Sequence, residues 1–175
     1  MAHPAITGVA AVLGQPGTAG DAVDWDELAR TTGLRLPTDY REFIALYGGG
    51  ELDEYLSINT PADGLVDGLA FDPTQAPDTP TGDSEEELLD GRLLPVASTV
   101  HGDVVFWVCD ELDPERWEMV VFKRQARYGE QRWTRYAMGF GELLLGTLTG
   151  TLASPFSARG LDESPHAYRH WRRPL

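Results

Sequence analysis

The residues able to carry chemistry are few and lie far apart along the chain. His101 and Asp103 flank a glycine and could form an acid–base pair, and Cys109 is the single cysteine. His166 and His170 have the i, i+4 spacing that binds metal on a helix. The sequence contains no Gly-x-Ser-x-Gly elbow, phosphate loop or zinc-helix motif. We therefore expect a turn pair at His101 and Asp103, a buried inert thiol, two solvated histidines, and no catalytic centre, metal or cofactor.

Charge and composition narrow the class of protein. The chain has 175 residues, of which 42% are hydrophobic, enough for one domain with a real core. Its formal net charge of −14 argues against direct binding to nucleic acid or to a membrane surface, and it suits a basic protein partner. An acidic surface that serves solubility alone is the open alternative. One cysteine, no long apolar run and no Lys/Arg-rich leader predict a cytoplasmic protein.

A long stretch of the chain carries one sign of charge. From Glu51 to Gly91 there are many acidic residues and no Lys or Arg. Within it, Pro73–Gly82 is rich in Pro, Thr and Asp and predicts a loop, and Asp83–Leu89 predicts a short helix. Such a run usually marks a solvated face, and it could also contact a cationic partner.

The stretch Leu34–Gly50 predicts the helix around which the chain is organised. Pro37 marks its start, Thr38 is a candidate N-cap, and Asp39 and Glu42 place negative charge near the positive end of the helix dipole. Three glycines at the end of the stretch terminate the helix. Its apolar face has the spacing i, i+3, i+4, i+7 and consists of Tyr40, Phe43, Ile44 and Tyr47. The pattern alone indicates a core helix without a functional residue.

The rest of the chain predicts a single α+β domain. Residues 1–20 predict a glycine-rich leader with a short amphipathic turn, and a helix that presents Trp25 begins at Asp21 or Asp24 and ends at Gly33. A last helix is predicted at Phe140–Leu148. Apolar runs joined by short turns predict an antiparallel-dominated sheet: Tyr55–Ile58, Leu93–Ala97, Val104–Cys109, Trp117–Phe122 and Trp133–Tyr136. We expect the two N-terminal helices and the last helix to cover one side of this sheet.

The C-terminal tail, residues 157–175, reverses the charge of the middle of the chain. Ser164 and Pro165 predict the start of a short helix that would present Tyr168 and Trp171. Two alternatives stay open for this tail: it folds back onto the acidic region, or it is a disordered end. The large apolar ring of Trp171 favours partial order.

An ordered set of short motifs resembles the SUKH superfamily of the Smi/Knr type. The resemblance covers residues 21–156 and leaves the leader and the tail outside. His101 stands where the family more often has Asn before Gly-Asp, a change that a turn tolerates. The matching residues are Trp25, Gly33, Leu36-Pro37, Asp39-Tyr40-Arg41, Phe43, Tyr47-Gly48, Gly50, Leu94–Ala97, Gly102-Asp103, Phe106-Trp107, Pro114–Trp117, Val120-Val121, Trp133–Tyr136 and Phe140–Gly150.

The resemblance implies a non-enzymatic protein-binding domain. Many bacterial members are immunity proteins that bind and neutralise a partner toxin, and fungal members act in cell-wall regulation. A toxin bound in this way would be basic, and a nuclease with a basic cleft is one candidate. The candidate contact residues are acidic: Asp78, Asp83, Glu85, Glu86, Glu87, Asp110, Glu111 and Asp113. The alternatives are a regulatory or scaffold domain with an unrelated partner and a small enzyme with an unrecognised site.

Overall fold

Along the described chain three helices are followed by six strands, a fourth helix and a last strand. A computed structural model describes residues 2–17, 19–61, 93–109, 112–157, 161 and 165–171. Within these ranges the helices are α1 (Pro4–Leu13), α2 (Trp25–Thr32), α3 (Thr38–Tyr47) and α4 (Phe140–Leu148). The strands are β1 (Gly50–Leu52), β2 (Leu56–Ile58), β3 (Leu93–Thr99), β4 (Val104–Val108), β5 (Glu118–Phe122), β6 (Trp133–Tyr136) and β7 (Tyr168–His170). The predicted helix Asp83–Leu89 lies outside the described residues.

The strands form one antiparallel sheet in the order β6-β5-β4-β3-β2-β1-β7. Every neighbouring pair in it is antiparallel. From β3 to β6 each strand lies beside the next because short connections allow only an antiparallel return. The tail supplies β7, which pairs with β1 so that Gly50 lies opposite His170. The predicted α+β fold with an antiparallel sheet is confirmed.

Strand β4 is buried on both faces, as its unbroken apolar sequence predicts. Val105 and Trp107 join the large core on the helical side of the sheet. Phe106 and Val108 alternate with them and belong to a second cluster. That cluster also contains Leu93, Val120 and Trp133. The sheet therefore has apolar side chains on both sides.

Helix α3 lies at the centre of the large core. The side chains of Tyr40, Phe43 and Ile44 are fully buried, and Tyr47 is 3% exposed. Tyr40 meets Trp107 edge to face with ring centroids 4.8 Å apart, a favourable aromatic geometry. The Tyr40 hydroxyl donates to the carbonyl of Asn59 at 2.6 Å, so its polar end is satisfied. The predicted apolar face of the central helix is confirmed.

Carboxylates of distant elements satisfy the free amides at several helix starts. Asp39 Oδ2 accepts from the Gly141 amide at 2.7 Å, at the start of α4. Glu42 Oε2 accepts from the His3 amide at 2.6 Å, at the start of α1. The predicted capping role of Thr38 is wrong, because Thr38 is the first residue of α3. Its backbone amide donates to the Glu115 carboxylate at 2.9 Å. Each of these bonds joins a helix start to another part of the fold.

Helices α1 and α2 differ from expectation in how they pack. Helix α1 is a full helix of 10 residues and buries Ala5, Ile6 and Val9. Helix α2 begins after Asp24, whose carboxylate accepts from the Glu27 amide at 2.9 Å, and it contains no fully buried residue. The expected pairing of α2 with α3 over the sheet is therefore only partly right. α2 is polar along most of its length, and α1 covers the core in its place.

Residues Tyr168–His170 of the tail form a strand, so the predicted helix from Ser164-Pro165 is wrong there. The prediction that His166 and His170 are solvated is also wrong. His170 Nε2 lies 2.9 Å from Asp21 Oδ1, and both side chains are buried. His166 Nδ1 lies 2.7 Å from Asp53 Oδ2, and its side chain is fully buried. In an extended chain four residues span about 13 Å, so the two rings reach different acids.

The glycines after α3 make room for this strand. Gly48 has φ +74°, and a Cβ there would lie 2.3 Å from Cδ2 of the His170 ring. Asp21, which holds that ring, also accepts from the Gly49 amide at 2.8 Å. The glycines therefore end the helix, as predicted, and also let the tail approach the backbone closely.

We expect Gly48→Ala to destabilise the protein much more than Gly33→Ala. Both glycines have φ +74°, but Gly33 has ψ 5° and is left-handed helical, whereas Gly48 has ψ −174°, a region that essentially only glycine adopts. A Cβ at Gly33 would also meet nothing within 4 Å. The control should lose about 1 kcal/mol from backbone strain alone, whereas Gly48→Ala should lose about 3 kcal/mol or more because both its backbone and the His170 ring must move. Urea unfolding of both variants measures the difference, and equal losses would contradict the packing role.

The burial of Asp39 makes the stability of the protein depend on pH. Desolvation raises the pKa of this carboxyl above its ordinary value of 3.8, against the lowering effect of its backbone hydrogen bonds. The folded protein therefore holds this proton more tightly than the unfolded chain, and the contribution of Asp39 to stability falls as pH rises through the window just above 3.8. The free energy of unfolding of the wild type, measured relative to that of Asp39→Asn, should fall from acidic to neutral pH in urea titrations. A relative free energy that rises over this range would contradict the burial argument.

Candidate interaction surface

The candidate acid–base pair, His101 and Asp103, lies in a turn, and Asp103 stabilises the fold. The buried carboxylate of Asp103 accepts from the Arg124 amide at 3.0 Å and from the Ser157 hydroxyl at 2.6 Å. His101 is exposed, and its ring lies 5.8 Å from that of Tyr55. The predicted turn pair is confirmed, and the Gly-Asp motif has a structural purpose. Across the described residues no three His, Cys, Asp or Glu side chains come together as a metal site.

An open groove lies between α2 and the segment that connects β4 to β5. Its wall contains Ala29 and Leu34 on one side and Cys109, Leu112 and Trp117 on the other. We call the surface formed by these five residues the α2 groove. It offers about 780 Å³ of solvent-filled space. Cys109 is half-buried in its wall, so the prediction of a buried thiol is only partly right.

Leu112 gives this groove an unusual feature, because its side chain is 104% exposed. The next residue, Asp113, is also exposed, and its carboxylate accepts from the Glu115 amide at 3.1 Å. That bond caps a 3-10 turn over Pro114–Arg116. A scattered exposed leucine needs no explanation, but this one extends an apolar wall and is followed by a capped turn.

The rim of the groove carries charges of both signs. Asp26 and Arg35 line it, and Asp113 follows Leu112 on the other side. Arg30 also lines the groove, but its guanidinium is paired with Glu27 at 2.5 Å. An apolar wall with a charged rim suits a protein partner that presents apolar side chains surrounded by charged ones.

Of the predicted acidic contact residues, only Asp113 lies within the described residues. Asp113 lies on the surface beside the α2 groove. The others stay predictions, because they lie outside the described residues: Asp78, Asp83, Glu85, Glu86, Glu87, Asp110 and Glu111. Sequence reasoning missed Leu112 and the apolar wall behind it. The available signal was an isolated leucine within the polar turn 110–116.

The fold and this surface define the class of the protein: a small α+β domain with helices on one face of an antiparallel sheet and an open surface groove. The chain belongs to the SMI1 / KNR4 family (SUKH-1), whose family model matches residues 20–146. The resemblance to the SUKH superfamily is therefore confirmed, and the match runs from the residue before Asp21 into α4. Strand β7 lies outside it.

Two further comparisons complete this picture. The chain has no match among curated proteins or among solved structures. Among the helices of the described residues, none combines the length and apolarity that a membrane span requires.

We expect Leu112→Ser to leave the stability of the protein nearly unchanged, within about 0.5 kcal/mol, because its side chain is fully in solvent. Trp117→Ala in the same groove is the matched control. Trp117 is 5% exposed, and its truncation should cost about 3–5 kcal/mol. Urea unfolding separates the two outcomes. A large loss for Leu112→Ser would show that the leucine belongs to the core.

Proposed function

We propose that this chain is an immunity protein that binds a cognate protein toxin in the cytoplasm and neutralises it by covering a functional surface. Membership of the SUKH-1 family supports a protein-binding role of this kind. The observation that carries the proposal is the α2 groove with the fully exposed Leu112 at its edge. The mechanism requires no reaction on this chain, only a complex that excludes the toxin's substrate.

The apolar wall would provide the affinity. Burial of a leucine side chain is worth about 1.5–3 kcal/mol when it moves from water into an apolar contact. Both sides of the groove are held before binding: the Asp24 carboxylate caps α2, and the Asp113 carboxylate caps the turn after Leu112. Little conformational entropy would therefore be lost from this surface when a partner binds.

The charge of the chain would select the partner and speed its approach. A net charge of −14 attracts a basic protein over a distance of about 8–10 Å at moderate salt. For a toxin that binds nucleic acid, the acidic residues of this chain would compete with the phosphate backbone for the basic cleft. The predicted acidic residues of 78–87 and 110–111 belong to the same proposal.

The decisive experiment is co-expression with a toxin encoded in a neighbouring reading frame. The chain should restore growth of cells that produce the toxin, and purified chain should retain the purified toxin in a pull-down. A chain that neither rescues nor binds that toxin overturns the immunity proposal. Binding to an unrelated protein in place of the toxin would favour the scaffold role of the same fold.

We expect Leu112→Asp to weaken toxin binding about tenfold or more, because it removes the apolar anchor of the α2 groove. Val100→Asp is the control: it makes the same change at a 62% exposed residue in the turn between β3 and β4. Isothermal titration calorimetry should show a dissociation constant within about twofold of wild type for this control. Equal effects of the two variants would remove the groove from the proposal.

We expect Asp113→Ser to slow association with the toxin while it preserves the turn, since a serine hydroxyl can also accept from the Glu115 amide. The association rate should fall modestly at low salt and converge with wild type at high salt. Stopped-flow measurements at several ionic strengths test this. A rate that does not depend on salt in either protein would contradict electrostatic steering.

A further inference from the structure

The loop between β5 and β6, residues 123–132, is a basic surface on an acidic protein. It holds one acid, Glu130, in a chain whose net charge is −14. Its cations are Lys123, Arg124, Arg127 and Arg132. We call residues 123–132 the basic loop. Such a local reversal of charge is not needed for the solubility of a chain this acidic.

The basic loop has a defined conformation. The Lys123 amide donates to the Arg132 carbonyl at 2.7 Å and closes its base. At its tip the Glu130 amide donates to the Arg127 carbonyl at 2.9 Å, and Gly129 takes φ +85°. This is a four-residue turn with glycine at the position where positive φ is required. The Arg127 amide donates to the Glu130 carboxylate at 3.0 Å, so the acid of the loop is engaged within the turn.

The core of the domain holds the base of this loop. The Arg124 amide donates to Asp103 Oδ1 at 3.0 Å, and Asp103 is completely buried. The same carboxylate binds the backbone and the hydroxyl of Ser157. The Gly-Asp turn of β3–β4 thus holds the base of the basic loop, and the Glu130 carboxylate holds its tip.

The tip presents an aromatic ring to solvent. Tyr128 is 108% exposed and precedes Gly129 in the turn. Its neighbour Arg127 is exposed as well. Tyrosine and arginine dominate the binding energy of protein interfaces, and a preformed turn loses little entropy when it docks.

We propose that the basic loop docks onto an acidic patch of another protein, with Tyr128 as the anchor and Arg127 as its charged neighbour. This surface is separate from the α2 groove. Trp117 of the groove immediately precedes strand β5, and the basic loop follows the last residue of that strand, Phe122. A five-residue strand is about 17 Å long, so the two surfaces lie at opposite ends of β5. The proposal does not depend on a toxin.

A carboxylate-rich protein fits this surface better than a nucleic acid does. The net charge of −14 repels an extended polyanion wherever it passes beyond the loop. Single-stranded nucleic acid is usually held by several stacked aromatic rings along a basic groove, whereas the basic loop offers one ring on a tight turn. A local acidic patch needs to meet only the loop itself.

The test uses the full chain and a fluorescein-labelled peptide of alternating Glu and Ala, with binding measured by anisotropy. The wild type should bind, and Arg127→Glu and Tyr128→Ser should each raise the dissociation constant about fivefold or more. Tyr128→Phe should stay within about twofold of wild type, because it keeps the ring. Arg35→Glu changes the net charge equally beside the α2 groove and should also stay within about twofold.

The outcomes are distinct. No binding of the peptide, or equal losses for Arg127→Glu and Arg35→Glu, overturns the proposal, because the loop would then contribute nothing beyond net charge. Tighter loop-dependent binding of a labelled oligouridine of matched charge overturns the assignment to protein carboxylates. Urea unfolding is the control that checks whether the Arg127→Glu and Tyr128→Ser variants are folded. Because the basic loop lies away from the α2 groove, Tyr128→Ser should still neutralise a toxin that the wild type neutralises.

Discussion

The burial of α3 is the constraint on which the rest of the structure depends. Its aromatic face meets Trp107 of the central strand, while Asp39 and Glu42 satisfy backbone amides at the starts of α4 and α1. One helix therefore fixes the positions of two others by hydrogen bonds as well as by packing. A carboxylate that is both buried and hydrogen-bonded leaves little freedom in these distances, because an unpaired charge there would be costly.

The edge of the sheet depends on a second set of buried polar contacts. Asp21 accepts from the Gly49 amide and binds the His170 ring, and so connects the entry to α2, the end of α3 and strand β7. Arg169 of the tail pairs with Glu51, the first residue of the acidic stretch. This is the folding back that the charge reversal of the tail suggests. Strand β7 covers the edge of β1, which would otherwise present unpaired backbone groups.

This rigid frame leaves two different surfaces at the two ends of β5. At one end the α2 groove combines an apolar wall with a rim of mixed charge, and at the other the basic loop presents Tyr128 and Arg127. At each surface a carboxylate accepts from a backbone amide: Asp113 from the Glu115 amide beside the groove, and Asp103 from the Arg124 amide at the basic loop. Function on such a scaffold resides in these surfaces, because family membership alone specifies the frame.

Local pattern determined most of the elements. The i, i+3, i+4, i+7 aromatic spacing places α3, and the apolar run Val104–Cys109 places a strand buried on both faces. Periodicity reports which face of an element is apolar, but not which distant group meets its ends or its edges. Tertiary structure alone therefore decided that Glu115 reaches Thr38, that the tail becomes β7, and that Leu112 stands in solvent beside the α2 groove. Each of these depends on contacts between residues far apart in sequence, which a local pattern cannot encode.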